Sequence, residues 1–478
     1  MTLSSGLNIA VSGLTVSARL AQTVSNNLAN AQTDGYGRRE LTLLSGQLGG
    51  VRIGEVLRLT DMGLIGDRLL ADAGVGQRKA GATVLAQLEQ AFGPVGDGSG
   101  VAGRLAALAQ SLITAGSEPA SDVRLRDVLS RSSDLVGAVR SDADALKAQR
   151  EAADRAIARD IAELNRSLQQ MAELNADISR LRNSGQDPSP IIDARQLVID
   201  KIARIVPIRQ IDRGTDQLAL YTQSGVALID GKASTFTFSP TTTIMPAMTY
   251  AGGVLGGVSI NNLPPDPANG VGRLKGGSLE ASFTLRDQTL PELQAGLDNI
   301  AADLVRRFED PAVDPTLTAG DPGLFTDGGA ALDPLDITGL SFRLEVNAAV
   351  DPARGGALSH LRDGINAATP GPLGNPAQLD RFLGALRSTS ALVPGGAART
   401  LAGHAGDLIS DLGDRRLYAE ENLSFVVARQ TALRTAELAT GVDSDLELQN
   451  LLRIEKAYAA NAKVIQTIDF MLQRLTEI

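Results

Sequence analysis

Residues 25–40, SNNLANAQTDGYGRRE, follow an apolar heptad repeat that begins at Leu3, and residues 442–478, VDSDLELQNLLRIEKAYAANAKVIQTIDFMLQRLTEI, carry a second heptad repeat to the last residue. Apolar residues that alternate at spacings of three and four predict helices that bury one face against another helix. Neither helix can bury that face alone. The two ends therefore predict a subunit whose terminal helices pair with each other and with neighbouring subunits.

The apolar seam of the N-terminal helix mixes small and large residues, which indicates a close approach between helices. Its members are Leu3, Leu7, Ala10, Leu14, Ser17, Ala21, Val24 and Leu28. We expect Asp34-Gly35 to end this helix, because glycine accepts the left-handed conformation found at helix C-termini.

The seam of the C-terminal helix is more apolar. Its members are Leu451, Ile454, Tyr458, Asn461, Ile465, Ile468, Leu472 and Leu475. Asn461 is the polar member, and a polar residue in a seam fixes the register at a cost in stability. Ser444 and Glu447 form a capping-box pattern just before the apolar run. The helix is predicted from about Asp445 to Thr476, a length of roughly 48 Å.

Periodicity alone leaves a second interpretation open. Each seam could belong to an ordinary amphipathic helix that packs on a globular core. The position of the seams favours assembly, because terminal residues fray unless something holds them.

Composition argues against several classes of function. The 478 residues include 45 basic and 55 acidic side chains, for a formal net charge of −10, and the basic residues are dispersed. Dispersed basic residues disfavour nucleic acid as a partner. Cysteine is absent, which excludes disulfide and thiol chemistry. No apolar run approaches the ~20 residues that span a bilayer, and no signal-peptide pattern begins the chain. On this basis alone the chain would be cytoplasmic.

Helical and strand-like patterns alternate along the chain. Helical periodicity is found at 62–92, 120–183, from Leu290 to Leu304 and at 378–440; the 120–183 stretch is one helix or two divided near Gly137. Residues 207–285 alternate apolar and polar residues, and Asp230-Gly231 is a hairpin-type turn. Residues 41–60 have no clear period, and 340–346 is a plausible strand.

These patterns predict a nested, mainly α protein with an inserted β domain. Residues 1–40 and 441–478 would form a terminal coiled-coil domain. Residues 41–206 and 286–440 would form a helical body, and 207–285 the β-rich insertion. Paired terminal helices and several domains predict an elongated molecule.

Residues that could carry catalysis or hold a metal are sparse. The two histidines, His360 and His404, have no partner at ligand spacing. The glycines at 93–103 follow no strand and precede no Lys-Ser/Thr pair, so a plain loop is favoured over a phosphate cradle. Asp443 and Asp445 fit helix capping better than calcium binding. We expect no catalytic residue, no cofactor and no metal.

The two terminal stretches resemble a known family. SNNLANAQTDGYGRRE is similar to the N-terminal motif of bacterial flagellar axial proteins, the rod, hook and hook-associated proteins, and IEKAYAANAKVIQTIDFMLQRL at 454–475 is similar to their C-terminal motif. The residues that carry the N-terminal motif are Asn26, Asn27, Asn30, Gly35, Tyr36 and Arg38.

Three further features are similar to the hook-associated members of this family. Residues 35–39, Gly-Tyr-Gly-Arg-Arg, resemble their Gly-Tyr-Ser-Arg-Gln pattern and depart from it at Gly37 and Arg39. RQLVI at 195–199 and GGSLEASFTLRDQTLPEL at 276–293 resemble their middle region.

The resemblance implies a structural subunit of the bacterial flagellum, an adaptor that joins hook to filament. It also implies type III export without a cleaved signal peptide and an extracellular location at the hook–filament junction. The implied partners are copies of the chain in a ring, the hook protein, the next hook-associated protein and an export chaperone. Nucleic acid and membrane insertion are not expected.

Three alternatives stay open. Another axial protein, such as a hook or distal rod protein, would usually have a strand-rich body. An axial scaffold with wall-hydrolase activity would need a catalytic acid in a cleft within 207–285 or 311–375. A cytosolic coiled-coil scaffold would be distinguished by its location in the cell.

Overall fold

The computed structural model describes residues 3–47, 49–93, 98–214, 217–393 and 395–476. Within them the fold is mainly helical with short antiparallel strands, which confirms the predicted fold class. The Gly-rich loop predicted at 93–100 lies partly outside the described residues. No helix in the described ranges is long and apolar enough to cross a membrane.

The helices are α1 (Leu3–Ala29), α2 (Met62–Phe92), α3 (Val101–Gly116), α4 (Asp122–Asn183), α5 (Ser189–Ile205), α6 (Gly277–Thr284), α7 (Leu290–Phe308), α8 (Leu340–Arg343), α9 (Ser359–Asp363), α10 (Ala377–Arg387), α11 (Leu401–Thr440) and α12 (Ser444–Thr476). A π-helical turn, Leu285–Thr289, joins α6 to α7.

The strands are β1 (Arg38–Ser45), β2 (Val51–Leu59), β3 (Ile208–Asp212), β4 (Leu218–Thr222), β5 (Ala227–Asp230), β6 (Lys232–Ala233), β7 (Phe236–Thr237), β8 (Ser259–Ile260), β9 (Phe325–Asp327) and β10 (Leu344–Val346). Strands β3–β6 form one antiparallel sheet in that order, and β1–β2, β7–β8 and β9–β10 form antiparallel pairs.

Helix α4 runs through both apolar cores of the body. Its 62 residues extend about 93 Å. The N-terminal half packs with α3, α7, α10 and parts of α2 and α11 in a first apolar core. The C-terminal half packs with α5, α6 and strands β3–β5 and β7 in a second. The helix is not divided near Gly137, because the buried stripe continues past this exposed glycine through Val136 and Val139.

A buried ion pair lies between helix α4 and the π-helical turn. The Arg286 guanidinium donates to the Asp154 carboxylate at 2.6 Å, and neither side chain is exposed. Arg286 also lies 4.8 Å from the centre of the Phe283 ring. One side chain therefore contacts α4, α6 and the turn that leads into α7.

The strands within 207–285 pack on the body. Leu220, Leu228 and Phe236 share the second core with Ile161 and Leu164 of α4. Helix α6 also falls inside this range, whereas the helix predicted from Leu290 is α7, which begins at that residue. The division of the chain into three domains stays a proposal.

The expectation of an irregular connector at 41–60, within a helical body, is wrong. These residues form most of the β1–β2 hairpin, in which Leu41 pairs with Val56 and Leu43 with Ile53. A bulge in β2, where Gly54 and Glu55 face Thr42 of β1, breaks the apolar–polar alternation that would have indicated strands. An isolated hairpin is marginally stable in water, and this one packs on α1, where the Val51 N–H donates to Ser12 Oγ at 3.3 Å.

Two other boundaries differ from the prediction. Helix α1 ends at Ala29 rather than at Asp34-Gly35, because the chain continues in separate turns closed by Thr33 N–H to Asn30 O and Tyr36 N–H to Thr33 O. The strand predicted at 340–346 is α8 followed by β10, and β10 pairs with β9.

Candidate assembly site

Helices α1 and α12 pack against each other in antiparallel orientation. A Cβ atom built on Gly6 would lie 3.5 Å from Ile468 Cδ1, and one built on Gly13 would lie 2.6 Å from Asn461 Nδ2. At the far end of α1, Asn27 Nδ2 donates to Glu447 Oε1 at 3.2 Å. Successive positions on α1 thus meet successively earlier positions on α12. At position 13 a side chain would be too close to Asn461, so Gly13 permits this separation, whereas a Cβ at position 6 would make an ordinary contact.

The predicted seams lie along this pair and are buried to different degrees. Ile468 is buried; Leu3, Leu7, Leu14, Leu28, Leu451, Ile454, Asn461 and Ile465 are half-buried; Tyr458, Leu472 and Leu475 are exposed. The residues of α1 that become fully buried are Ala10, Val16, Ser17, Val24 and Asn27. The small members of the predicted seam are thus more buried than its leucines.

Much apolar surface on α12 stays uncovered. Leu452 and Phe470 are each 58% exposed, and Leu475 is 59% exposed. In the described residues, α1 and α12 contribute nothing to either core of the body. The helix pair is therefore a separate unit with an apolar outer surface.

Asn27 is the centre of a polar lock where the helix pair meets the β1–β2 hairpin. It is 1% exposed. Its Nδ2 donates to Arg39 O at 2.9 Å and to Glu447 Oε1, and its Oδ1 accepts from the Tyr36 hydroxyl at 2.7 Å and from Arg39 N at 3.0 Å. An amide can donate and accept at once, so this side chain joins α1, β1 and α12.

The other members of the N-terminal motif surround Asn27 or shape the turn after α1. Arg38 Nε donates to Glu447 Oε1 at 2.7 Å. Burial raises the pKa of Tyr36, so its phenol stays a donor. Asn30 Nδ2 donates to Asn26 O at 2.9 Å, while Asn26 itself is exposed. Gly35 has φ +77°, a conformation that favours glycine.

Asp193 of α5 joins the β1–β2 hairpin and the residue before it to the body. Its Oδ1 accepts from Arg58 Nε at 2.8 Å and from Gly37 N at 3.1 Å, and its Oδ2 accepts from Arg39 Nη2 at 2.8 Å. A Cβ on Gly37 would lie 2.4 Å from Arg58 Nε. The two departures from the family pattern, Gly37 and Arg39, thus both serve the Asp193 contact.

A second charged cluster lies where α2, α5 and α11 meet below the helix pair. The Arg68 guanidinium donates to Asp72 and Asp200, each at 2.7 Å, and to Glu437. Burial lowers the pKa of Arg68, but the three carboxylates outweigh burial and raise it. Arg434 of α11 pairs with Asp34 in the turn after α1. The Arg68 cluster thus joins three helices of the body, and the Arg434–Asp34 pair joins the turn after α1 to α11.

The predicted capping box at Ser444 and Glu447 is absent. Asp443 caps α12 instead, because its Oδ1 accepts from Asp445 N at 2.9 Å and from Leu446 N at 3.0 Å. The expectation that Asp443 serves as a cap is confirmed. Glu447 does not cap the helix. Its carboxylate accepts from Asn27 and Arg38, and the residue is 1% exposed.

Sequence reasoning identified the motif but missed its partners. Asp193, Arg58 and Arg68 are ordinary charged residues that no local pattern marks, and the local pattern around Glu447 predicted a capping box instead. The N-terminal motif contains polar residues, and a search for opposite charges elsewhere could not have chosen among 55 acids.

The arrangement holds two helices and a loop in fixed positions. Among the described residues, no group of three or more His, Asp or Glu side chains is placed to hold a metal ion. The chemistry of the site is hydrogen bonding and ion pairing within the chain, and its apolar outer surface can be buried against other helices.

Comparison with known proteins gives two matching family models. The model of the flagellar hook-associated protein FlgK helical domain matches residues 85–316, and that of the flagellar basal body rod FlgEFG protein C-terminal region matches residues 438–478. Together they cover more than half of the chain.

Two known proteins are similar to this chain. Flagellar hook-associated protein 1 of Bacillus subtilis (strain 168) is 22% identical over 508 aligned positions, which cover 98% of this chain and 97% of that protein. The structure of the flagellar hook junction protein FlgK from Burkholderia pseudomallei superposes with a TM-score of 0.44 and 17% identity, over 56% of this chain and 47% of that one. The chain thus spans about half of that solved structure.

Proposed function

We propose that this chain is a flagellar hook-associated protein and that it is the adaptor subunit that joins the flagellar hook to the filament. Its role in the flagellum is structural. The proposal adds how the subunit assembles, what it contacts and where it is found.

One observation carries the assembly mechanism. Helices α1 and α12 form a pair that is locked to the body at one end through Asn27, Glu447 and Asp193, while Leu452 and Phe470 remain more than half exposed on its outside. A subunit with a fixed orientation and an uncovered apolar surface is suited to packing beside its own copies.

Burial of this surface supplies the free energy of assembly. Apolar area removed from water stabilises by about 25 cal/mol per Å², less the entropy of ordering side chains and subunits. The free subunit leaves the area exposed, so assembly requires neighbours. The predicted site residues on both helices would then contact either each other or the adjacent subunit.

The partners follow from this role. We propose that the chain forms a ring with its own copies, with the hook protein on one side and the next hook-associated protein on the other. An export chaperone would shield Leu451, Ile465, Ile468, Leu472 and Leu475 before assembly. The chain would leave the cell through the flagellar type III apparatus without signal-peptide cleavage and would have no catalytic activity.

The domain division fits the same mechanism as a proposal. Residues 1–40 and 441–478 would lie in the inner tube. The helical body would surround them, and the strands of 207–285 would lie farther out.

Deletion of the gene tests the proposal. We expect cells that retain hooks but lack filaments, and filaments restored by the wild-type gene. Electron microscopy of isolated hooks gives the result. Normal filaments in the deletion strain, or loss of the hooks as well, would contradict the assignment to the hook–filament junction.

A further inference from the structure

A cavity of about 470 Å³ opens on the body where the end of α2, the start of α3 and the middle of α4 meet. Small residues line its α4 side, where Ser133, Gly137 and Ser141 follow one another at intervals of one turn. A Cβ built on Gly137 would meet nothing within 4 Å. Pockets that hold small ligands have a similar volume. The cavity therefore has room for a small molecule or for a side chain of another protein.

Asp142 is a buried acidic residue at this cavity. It is 5% exposed and belongs to the lining. Among the described residues, none donates a hydrogen bond to its carboxylate or forms an ion pair with it. The described side-chain atoms that are both fully enclosed and unpaired belong to other residues, so the carboxylate oxygens of Asp142 reach the cavity. The cavity thus contains two hydrogen-bond acceptors that the chain itself leaves unused.

The charge of Asp142 is not balanced within the cavity. The other charged residues in the described lining are Arg104 of α3 and Asp134 of α4, and Arg104 Nη1 lies 3.9 Å from Asp134 Oδ2. Burial raises the pKa of Asp142 to about 7, and no neighbouring cation lowers it. Once Asp142 is ionised, the lining carries one uncompensated negative charge, which attracts a cation.

The donor set favours an organic cation over a metal ion. Ca²⁺ and Mg²⁺ take about six or more oxygen ligands, and the described residues contain no group of three or more His, Asp or Glu side chains placed to hold a metal. A primary ammonium group carries three N–H donors on one charged nitrogen. It can donate to both oxygens of Asp142 and to the hydroxyl of Ser141, which lines the same cavity.

We propose that this cavity is a binding site for a primary alkylammonium group, which the Asp142 carboxylate holds between α2, α3 and α4. Free amines and the lysine side chains of other proteins both carry this group, and its chemistry at Asp142 is the same in either case. The inference does not rest on the proposed function, because it concerns a single subunit.

Burial distinguishes Asp142 from the other carboxylates of α4. Asp144, two positions later, is exposed, so water competes with any cation that approaches it. At Asp142 the surrounding protein excludes most of that water, and an ion pair there also removes the cost of an unpartnered buried charge. We therefore expect the bound cation to stabilise the folded chain.

Thermal melts of the full chain test the site. The probe is n-propylammonium chloride, and the reference is tetramethylammonium chloride at the same concentration, because that cation has no N–H donor. At pH 8 Asp142 is ionised. A probe concentration about tenfold above its Kd should then raise the melting temperature by about 2–4 °C relative to the reference salt. At pH 5 Asp142 is protonated, and the two salts should give the same melting temperature.

Two variants assign the effect to one carboxylate. Asp142→Asn keeps the shape of the side chain and removes its charge, so the difference between the two salts should disappear at pH 8. Asp144→Asn is the matched control and should respond as the wild type does, since Asp144 is exposed on the same helix. Equal effects of the two salts on the wild type at pH 8, or an unchanged difference in Asp142→Asn, would overturn the inference.

A diamine distinguishes the two sources of the ammonium group. Asp134, about two turns before Asp142 on α4, is the other carboxylate in the described lining. If putrescine binds within about twofold of n-propylammonium, the site recognises a single ammonium group, as on a lysine side chain. Putrescine binding about tenfold tighter would indicate a free diamine whose second ammonium reaches Asp134. Binding of neither compound at pH 8 would exclude the site and would leave the proposed function, which the deletion strain tests, unaffected.

Discussion

An asparagine suits position 27, at the centre of the polar lock. Its amide donates to the Glu447 carboxylate and to a carbonyl while it accepts from a hydroxyl and from a backbone N–H. Aspartate has nearly the same shape but cannot donate when ionised. The residue therefore reports whether the hydrogen bonds, rather than the packing, hold α12 to the hairpin.

We expect Asn27→Asp to release the start of α12. The new carboxylate would face the buried Glu447 carboxylate, and an uncompensated buried charge costs on the order of 3 kcal/mol. Hydrogen exchange should show faster exchange of α12 amides with the body unchanged. Asn26→Asp is the control, because Asn26 is exposed one position away. Similar exchange in the two variants would count against the lock.

Asp142 of α4 makes stability depend on pH. It is 5% exposed, and burial raises its pKa to about 7. The unfolded value is near 3.9, so the folded chain holds this proton more tightly and stability falls as pH rises from about 4 to about 7. Above pH 7 the full cost of the buried charge remains.

Asp142→Asn should remove that cost. We expect stabilisation on the order of 2–4 kcal/mol at pH 8 and little change at pH 4. Urea unfolding at the two pH values measures both. A destabilised variant at pH 8 would mean that the carboxylate has a favourable partner.

The helix pair depends on close approach. The Cβ of an alanine at position 13 would lie 2.6 Å from Asn461 Nδ2, so Asn461 must move or the helices must separate. Helix propensity alone favours Gly→Ala by about 1 kcal/mol. The two effects oppose each other in Gly13→Ala.

We expect Gly13→Ala to weaken the α1–α12 pair and Gly137→Ala to stabilise the body by about 1 kcal/mol, since nothing lies within 4 Å of a Cβ at position 137. Thermal melts followed by circular dichroism should resolve the terminal helices from the body, because the pair lies outside both apolar cores. A stabilised Gly13→Ala variant would show that the helices are not in close contact.

Helices and strands were predicted correctly where the sequence pattern was long and regular. Helix α2 and helix α12 were predicted within one residue of their ends, because an uninterrupted apolar stripe fixes a long helix. The β1–β2 hairpin was missed, since a bulge at Gly54 and Glu55 shifts the alternation in β2. The cap of α12 was assigned to Ser444 because the local pattern cannot show that Glu447 is needed by Asn27, more than four hundred residues earlier.

For the whole molecule, the sequence predicted helical and strand-rich regions but not the way they share cores. Charged residues buried between distant segments, such as Arg286 with Asp154, have no local signature. Arg286 also donates to Gly256 O at 3.0 Å, and Asp154 accepts from Thr241 N at 2.7 Å, so this pair joins the strand-rich region to the body.

Arg286→Ala should destabilise the body strongly. It leaves the Asp154 carboxylate buried without its ion pair, which costs about 3–5 kcal/mol. Arg213→Ala removes an exposed arginine that pairs with Asp230 and should have little effect. Chemical unfolding compares the two. Equal stabilities would mean that Arg286 does not hold the strand-rich region to α4.

The whole molecule is proposed to assemble through its terminal helices. Ile468 is the buried apolar residue of α12 and packs against Gly6, whereas Gln466 is exposed on the same helix. A charge at position 468 would enter the helix pair, and one at position 466 would stay in water. Neither residue touches the cores of the body.

The most direct measurement is electron microscopy of a deletion strain that produces either Ile468→Asp or Gln466→Asp, with the melting temperature of each purified variant. Assembly through the terminal helices predicts that the body of both variants melts at an unchanged temperature. It also predicts hooks without filaments for Ile468→Asp and normal filaments for Gln466→Asp. Normal filaments with Ile468→Asp would contradict it.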